Sequence, residues 1–389
     1  MHCGGSSAVL GIQNETSYSV LLGYSALAAT LGSATNATSF RDRRDYLTSY
    51  NVSVAVGDVN NDGIPDLVLC GGSGALVEFG NGDGTFTTGP EYLTGFVVYT
   101  PILADINGDG KLDLIMSFYS GVLPFSSGLA VGFGNGDGTF RSPVTYDAGT
   151  DPSAQTLVLG DFNHDQLPDA AILGEDGVWI FLGEGNGVFS RGVLVPVSSP
   201  LYGGFSLVTA DFNEDGNLDL VAGTRSGFVL LLGKGNGTFQ SPIANTTTSS
   251  AESIATADLN GDGKPDLIIT STSHANSALV LYGNGNGTFQ RFKKVNLPND
   301  YLIAIGDVNG DGKLDLVSNT GNVSYGESGG NFNPPFYFPD GYSSDDNQPT
   351  YIVLSNLRNA GYLDIAAANF YGAFSVLLNR GNGWHVHAG

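Results

Sequence analysis

The chain has 389 residues, a formal net charge of −23 and 57 glycines. Such a glycine content is typical of low-complexity chains, but 41% of the residues are hydrophobic and form short, evenly spaced runs, which excludes disorder and allows a large core. The acidity disfavours nucleic acid and anionic membranes as partners, no apolar run reaches the ~18 residues of a membrane span, and two cysteines are too few for a disulfide framework.

The N-terminal region divides into a surplus segment and a predicted strand. The start "MHCGGSS" has neither the basic nor the apolar region of a signal peptide. We expect residues 1–35 to form an N-terminal segment outside the main repeat array, or part of an additional repeat. The stretch "RRDYLTS" at residues 43–49 is a strand-like segment that precedes the first acidic loop and is not one of the strands of the first repeat.

The stretch "DVNNDGIPD" at residues 58–66 is the first of six acidic loops. Its pattern D-x-N-x-D-G-x-x-D places oxygen-bearing side chains at loop positions one, three, five and nine. The same spacing opens a helical calcium loop, but here the following "LVL" is a β-type run. The pattern recurs at steps of 47, 56, 50, 47 and 49 residues, which indicates an internal repeat.

Each repeat carries a second signature, a glycine-rich turn that ends in an aromatic residue. It reads "FGNGDGTF" at residues 79–86 and 133–140, and related sequences follow at 182–189, 232–239 and 282–289. Gly and Asn accept a positive φ at little cost, so this cluster predicts a tight turn between two strands. We expect the closing phenylalanine to fill an apolar gap between neighbouring repeats.

Four strand-like segments surround these turns in each repeat, for example "TPILAD", "LDLIMSF", "LAVGFG" and "SPVTYD" in the second. Four short strands per repeat, seven times over, predict an all-β fold, a seven-bladed β-propeller with four-stranded blades. A solenoid usually has shorter units. An eight-bladed ring stays open as an alternative, because residues 1–35 are surplus to seven blades.

The seventh repeat, "NLRNAGYLD" at residues 356–364, has lost its acidic loop. It keeps Asn356, Gly361 and Asp364, but Arg358 and Ala360 stand where ligands would be. We predict that Arg358 pairs with Asp364 and that no calcium binds there. The chain end supplies three strands of this repeat, so residues 36–389 are predicted to form a ring closed by pairing "RRDYLTS" with the C-terminal segment.

The two motifs together resemble the FG-GAP/VCBS repeats of the integrin α-subunit β-propeller and its bacterial and fungal relatives, over roughly residues 40–384. The resemblance implies a seven-bladed ring in which the hairpin between the first and second strands of a blade binds calcium. It also implies an extracellular location and the binding of proteins or glycans. A minority of relatives belong to polysaccharide-cleaving enzymes.

The acidic loops give about six predicted Ca²⁺ sites. Hard oxygen ligands without His or Cys suit Ca²⁺ better than zinc. Solvated Asx turns that bind nothing are the alternative, but three carboxylates held close together repel each other unless a cation is present. The predicted side-chain ligands are Asp58, Asn60, Asp62, Asp66, Asp105, Asn107, Asp109, Asp113, Asp161, Asn163, Asp165, Asp169, Asp211, Asn213, Asp215, Asp219, Asp258, Asn260, Asp262, Asp266, Asp307, Asn309, Asp311 and Asp315.

The resemblance adds a backbone carbonyl at loop position seven to each predicted site. The residues there differ widely in side chain, which is consistent with a role for the carbonyl alone: Ile64, Lys111, Leu167, Asn217, Lys264 and Lys313. Position six is Gly in five loops and Gln166 in the third. If this position needs a positive φ, Gln costs roughly 1 kcal/mol, so the third site is the least secure.

We expect a monomeric protein that is secreted or on the cell surface, in an extracellular or periplasmic space. It is predicted to act as an adhesion or ligand-binding module for a glycan or an extracellular protein. No catalytic motif stands out, so we do not expect an enzyme. A domain of a polysaccharide lyase or hydrolase and a structural spacer remain the alternatives.

Aromatic residues on irregular loops are the candidates for ligand binding. These loops lie at the ends of the strands away from the acidic loops, so they are predicted to share the opposite face of the ring. Rings on polar loops can stack on the apolar face of a sugar or peptide while neighbouring groups form hydrogen bonds. The candidates are Tyr119, Phe125, Tyr202 and Tyr342.

Overall fold

The computed structural model describes twelve segments of the chain: residues 40–47, 53–72, 74–120, 126–148, 156–197, 206–247, 250–271, 276–297, 302–319, 321–337, 349–369 and 373–381. These segments contain β-strands and no helix. The predicted all-β class is therefore confirmed. The N-terminal segment 1–35 lies outside the described residues.

The strands fall into seven groups along the chain, which we number as blades. Strand β1 (Phe40–Leu47) comes first. Blade 1 contains β2 (Ser53–Gly57), β3 (Asp66–Gly71), β4 (Gly74–Gly80) and β5 (Phe86–Leu93). Blade 2 contains β6 (Val97–Ala104), β7 (Asp113–Tyr119), β8 (Ser127–Gly132) and β9 (Val144–Asp147). Blade 3 contains β10 (Thr156–Gly160), β11 (Asp169–Leu173), β12 (Gly177–Phe181), the short hairpin β13 (Gly183–Gly185) and β14 (Val188–Phe189), and β15 (Val193–Pro196).

The second half of the chain repeats this arrangement. Blade 4 contains β16 (Leu207–Ala210), β17 (Asp219–Thr224), β18 (Gly227–Leu231) and β19 (Ile243–Thr246). Blade 5 contains β20 (Ser253–Ala257), β21 (Asp266–Thr270), β22 (Asn276–Leu281) and β23 (Lys293–Leu297). Blade 6 contains β24 (Ile303–Gly306), β25 (Asp315–Ser318), β26 (Asn322–Ser324), the short hairpin β27 (Gly326–Glu327) and β28 (Asn331–Phe332), and β29 (Phe336–Tyr337). Blade 7 contains β30 (Pro349–Ser355), β31 (Asp364–Asn369) and β32 (Ala373–Asn379).

Seven four-stranded antiparallel sheets make up the fold, one for each blade. Six blades use four strands in chain order, whereas blade 7 takes β1 as its outer strand next to β32. The pairing of β1 and β32 runs from Phe40 opposite Asn379 to Leu47 opposite Ala373. The first strands of successive blades contact one another around the ring, and β30 contacts β2. The predicted seven-bladed β-propeller is confirmed.

The inner strands are buried on both faces, and their sequences explain why. Strand β3, "DLVLCG", is buried at every residue, as are β11 and β21, because each inner strand is covered by both neighbouring blades. Such strands are near-continuous apolar runs instead of alternating ones. The outer strands β9 and β19 are short and mostly exposed, which limits edge-to-edge pairing with other chains.

The hydrophobic core lies between the blades. Buried clusters join blade 7 to 1, blade 1 to 2, blade 2 to 3, blade 5 to 6 and blade 6 to 7, and one cluster joins blades 3, 4 and 5. The closing phenylalanine of the glycine-rich turn contributes to these interfaces, as predicted. Phe239 of blade 4 lies edge-on to Phe162 of blade 3 at 5.8 Å between ring centroids, and Phe289 of blade 5 lies in the same way against Phe212 of blade 4 at 5.7 Å.

Candidate functional site

The six acidic loops connect the first and second strands of blades 1 to 6. Loop 1 follows Gly57, the last residue of β2, and ends at Asp66, the first residue of β3. The other five loops occupy the same place, so we number them by blade: 105–113, 161–169, 211–219, 258–266 and 307–315. All six therefore share one face of the ring.

Hydrogen bonds from backbone amides to the acidic side chains fold each loop tightly. The Asp58 carboxylate accepts hydrogen bonds from the N–H groups of Asp62 at 3.1 Å and Gly63 at 2.8 Å. The Asp62 carboxylate accepts one from Ile64 N–H at 2.8 Å. Loops 2 to 6 repeat these contacts. The predicted ligand residues thus also make the backbone turn.

Two positions of each loop have a left-handed backbone. At position six, φ is 84° for Gly63 and 68° for Gln166, so the third loop holds Gln in a conformation that favours Gly. Position four is also left-handed, with φ of 62° at His164 and 55° at Glu214. The sequence pattern gave no sign of this second requirement, because position four holds Gly in only three of the six loops.

The aspartate at position nine connects three parts of its blade. Asp66 is fully buried and accepts hydrogen bonds from Val59 N–H at 3.0 Å, within its own loop, and from Gly80 N–H at 2.9 Å, at the end of the third strand. Equivalent pairs of contacts occur in loops 2 to 6. The acidic motif alone does not predict this structural role, because it involves a residue 14 positions further along the chain.

Burial disfavours the ionised form of these six carboxyl groups. Burial and, to a smaller extent, the charges of Asp62 and Asp58 together raise the pKa of Asp66 to about 6, although the two backbone hydrogen bonds lower it. The same causes raise the pKa of Asp113, Asp169 and Asp266 to about 6 and that of Asp219 and Asp315 to about 7. A nearby cation would favour the charged form and reverse this effect.

The donor set of each loop is that of a hard-cation site: three carboxylates, one amide oxygen and one backbone carbonyl. Within the described segments, however, no three or more His, Cys, Asp or Glu side chains are grouped as they would be around a metal ion. Their oxygens face backbone amides, and the Asn60 amide N–H₂ donates to Asp62 at 2.9 Å. The residues fit calcium in chemistry, and they would have to rotate toward it to bind.

Loop 7 carries its own cation. Arg358 donates two hydrogen bonds to the buried Asp364 carboxylate, from Nη2 at 2.7 Å and from Nε at 3.2 Å, and Nη2 also donates to the Asn379 carbonyl. The predicted Arg358–Asp364 pair is confirmed. Burial still raises the pKa of Asp364, and the hydrogen bonds from Arg358 and Asn379 N–H oppose that rise.

Side chains at position four reach from one loop to the next blade. His164 Nε2 lies 2.8 Å from the Asn217 amide oxygen of loop 4, and Asn359 donates to the Gly63 carbonyl of loop 1 at 2.8 Å. Asn61 donates to Gly136 of blade 2 at 3.3 Å. The sequence motif gives no sign of the contact between His164 and Asn217, which joins two residues 53 positions apart.

The predicted ligand-binding aromatic residues are only partly covered by the structure. Tyr119 is the last residue of β7, is partly exposed, and pairs with Val97 on one side and Ser127 on the other. Phe125, Tyr202 and Tyr342 lie outside the described residues. In the part of the chain that is described, no helix is long and apolar enough to span a membrane.

The sequence was compared with protein families and curated proteins. A model of the FG-GAP-like repeat matches residues 58–116, 161–222, 211–269 and 258–318. These matches start at the acidic loops of blades 1, 3, 4 and 5. No curated protein is significantly similar to the chain.

Several solved structures share the fold. BP39L lectin from Burkholderia pseudomallei aligns with a TM-score of 0.63 and 14% identity, over 87% of this chain and 98% of the lectin. A lectin from Agrocybe aegerita that recognises non-reducing terminal N-acetylglucosamine aligns with a TM-score of 0.57 and 22% identity, over 76% of this chain and 82% of that one. BBS1N, in its complex with ARL6DN, aligns with a TM-score of 0.57 and 12% identity, over 88% and 96%. At these identities the similarity is one of fold.

Proposed function

The chain belongs to the FG-GAP-like repeat family, and from this premise we infer that it is a calcium-stabilised β-propeller that binds a glycan outside the cell. Family and fold together support a ligand-binding propeller module. Calcium, the glycan and the extracellular location are the finer parts of the proposal. Each of them needs its own support.

The calcium part is carried by one observation: six times over, a buried aspartate lies beside two further aspartates of the same loop. Burial of a carboxylate next to like charges is unfavourable unless a cation or a proton compensates it. In loop 1, Asp58, Asn60, Asp62 and Asp66 would hold the ion with the carbonyl of Ile64, and the other loops would use their equivalents. Bound Ca²⁺ would supply positive charge and a fixed loop geometry, a structural contribution.

The extracellular part follows from the energetics of such sites. Short loops with three carboxylates resemble the weaker calcium modules, which are filled at extracellular calcium and empty in the cytosol. FG-GAP repeats are also typical of extracellular proteins. The net charge of −23 is consistent with this proposal, because many of the acidic residues lie in the predicted sites.

The glycan part is supported by fold and by surface chemistry. Two of the structures with the same fold are lectins, and one of them recognises terminal N-acetylglucosamine. The acidic loops occupy one face of the ring, which leaves the opposite face for a ligand. Tyr119, one of the predicted aromatic residues, ends strand β7 on that opposite side, and aromatic rings are the groups that stack on sugars.

A glycan array tests the binding function directly. The full chain is applied in millimolar calcium to an array that includes oligosaccharides ending in N-acetylglucosamine, and bound glycans are then recovered and sized. We expect saturable binding of a defined set of glycans, with the recovered chains intact. Absence of binding would contradict the glycan proposal, and shortened chains would identify a polysaccharide-cleaving enzyme instead.

A further inference from the structure

The first hairpin of blade 2 extends further than those of its neighbours. Its pairing continues to Val97 opposite Tyr119, six residues beyond Asp113, whereas the first hairpin of blade 3 ends at Thr156 opposite Leu173, four residues beyond Asp169. At about 3.3 Å per residue, two residues correspond to about 7 Å. Blade 2 therefore projects beyond the described strands of blade 3, on the face away from the acidic loops.

One side of this projection is anchored in the core. Val98 and Phe118 belong to the cluster between blades 1 and 2, and the Phe96 ring lies 4.8 Å from that of Phe118. Because side chains alternate along a strand, the residues next to Val98 and Phe118 in sequence lie on the other side of the sheet. One side of the projection therefore packs in the core between blades 1 and 2, and its other side faces away from blade 1.

The other side presents two tyrosines. Tyr119 lies opposite Val97, and Tyr99 is two residues further along β6, so all three side chains share one side of the sheet. Tyr99 and Tyr119 are diagonal neighbours, for which the expected Cβ separation is about 7–8 Å or somewhat less. All three residues are partly exposed. On the same side of the sheet, the neighbouring strand β8 contributes Leu129, which belongs to the cluster shared with blade 3. We call Val97, Tyr99 and Tyr119 the blade 2 shelf.

A strained backbone lies directly below the blade 2 shelf. Thr100 has a φ of 37°, and the register of β6 and β7 shifts between Tyr99 and Ile102. A β-branched residue at positive φ is a genuine outlier, and such strain concentrates at ligand sites. A bulge of this kind re-aims the side chain next to it, here Tyr99. Among the described residues, Thr100 is the one β-branched residue with a positive φ.

We propose that the blade 2 shelf is the glycan-binding site of this protein and takes one pyranose ring of its ligand. Two tyrosine rings provide an apolar surface for the C–H face of a sugar, and their hydroxyl groups can form hydrogen bonds with its hydroxyls. Three residues are far fewer than the roughly 20–30 that each partner contributes to a stable protein–protein interface. The proposal rests on the glycan-binding function proposed above.

Alanine variants of the two tyrosines test the blade 2 shelf. Affinity is measured by titration calorimetry with the strongest glycan from the array, or with an oligosaccharide ending in N-acetylglucosamine if several bind equally. We expect Tyr99→Ala and Tyr119→Ala each to weaken binding about tenfold, the range for loss of one stacked ring. Tyr362→Ala is the matched control, because Tyr362 is also partly exposed but lies in loop 7 on the opposite face. It should bind as the wild type does.

Two further variants separate binding from folding. Tyr119→Phe keeps the ring and should retain most of the affinity that Tyr119→Ala loses. Thr100→Gly accepts the positive φ but gives the bulge more conformational freedom, so Tyr99 is held less firmly and glycan binding should weaken several-fold in a protein that still folds. A merely structural role of the bulge would change the melting temperature and leave the affinity of the folded protein unchanged.

The outcomes distinguish this proposal from the one it rests on. If the wild type binds glycans and the variants at Tyr99, Tyr119 and Thr100 bind equally well, the site lies elsewhere and only the shelf is wrong. If the wild type binds no glycan, both proposals fall. If the alanine variants do not fold, wild-type affinity in a folded Thr100→Gly would overturn the shelf.

Discussion

Loop 1 and loop 7 share their left-handed positions and the hydrogen bond to a buried aspartate, but only loop 7 pairs that aspartate with a cationic side chain. Both have left-handed residues at positions four and six, with φ of 60° and 84° in loop 1 and 51° and 81° in loop 7. Both end in a buried aspartate that accepts a hydrogen bond from the end of the third strand, from Gly80 or from Asn379. In loop 7, Arg358 supplies the positive charge, whereas loop 1 has Asn60 at that position.

This comparison indicates that the buried aspartate belongs to the fold, because in both loops it accepts a hydrogen bond from the end of the third strand. Under the proposed function, the loops differ in whether the positive charge comes from a side chain or from a calcium ion. Strand β1 closes the ring in blade 7, so we expect the stability of this closure to depend less on calcium than the stability of blades 1 to 6 does.

The largest expected effect is that of removing calcium from the wild type. At calcium about tenfold above Kd, each site contributes about 1.4 kcal/mol, so six sites give about 8 kcal/mol, comparable with the stability of a whole domain. Chelation should therefore lower the melting temperature strongly, and added calcium should restore it. Calorimetry in excess chelator and then in excess calcium measures this. Identical melting curves would remove calcium from the account.

Arg358→Ala should have the next largest effect, and one that calcium does not correct. Removing one partner of a buried ion pair costs about 3–5 kcal/mol, and the partly exposed Arg358 places this pair near the lower end. Denaturant unfolding with and without calcium should show a loss of about 3 kcal/mol in both conditions. Arg358→Ala combined with Asp364→Asn is the control, because it removes the charge that would be left unpaired. Equal stability of Arg358→Ala and wild type would contradict the role given to the pair.

Without calcium, the stability of the protein should fall as the pH rises, because the buried aspartates at position nine must then ionise. The position-nine aspartates have folded-state pKa values of about 6 to 7, above the ordinary 3.8, so the folded state holds protons that the unfolded state has lost. Their contribution is fully present below about pH 4 and disappears as the pH rises through 6 to 7. We expect the calcium-free protein to melt lower at pH 7.5 than at pH 5.5, and saturating calcium to reduce or reverse this difference. Melting curves that rise with pH without calcium would contradict it.

The smallest effect concerns the one loop that lacks Gly at position six. Gln166 has a φ of 68°, so Gln166→Gly should stabilise the protein by up to about 1 kcal/mol, partly offset by the greater freedom of Gly when unfolded. Gly63→Gln is the matched control in loop 1 and should destabilise by a similar amount. Both are measured as shifts of the denaturant midpoint. A destabilised Gln166→Gly would mean that the Gln side chain makes a contact that outweighs the strain.

Much of the fold could be predicted because it repeats. Each blade is specified by short-range signals, namely an acidic loop, a glycine-rich turn and apolar runs. Because the pattern occurs seven times, a strand that is ambiguous in one repeat can be assigned from the others. The Arg358–Asp364 pair was also predictable, since both residues belong to one loop. The strand β1 was recognisable because blade 7 lacked a fourth strand.

The features that sequence reasoning missed depend on contacts between distant segments. The hydrogen bond from Gly80 to Asp66 joins two turns of blade 1, and that between His164 and Asn217 joins two blades. The bulge at Thr100 depends on how β6 pairs with β7, and no local pattern marks it. The ligand-binding candidates were chosen as aromatic residues on irregular loops of the face opposite the acidic loops. Of these, the structure describes only Tyr119, and it adds Tyr99 beside it.

A count of bound calcium tests the central claim most directly. After dialysis against saturating calcium, elemental analysis of the wild type should give about six calcium ions per chain. The triple variant Asn356→Asp, Arg358→Asn and Ala360→Asp rebuilds loop 7 in the pattern of loop 1 and should bind one more. No bound calcium in the wild type, or the same count in both proteins, would contradict the view that loops 1 to 6 take their positive charge from calcium and loop 7 takes it from Arg358.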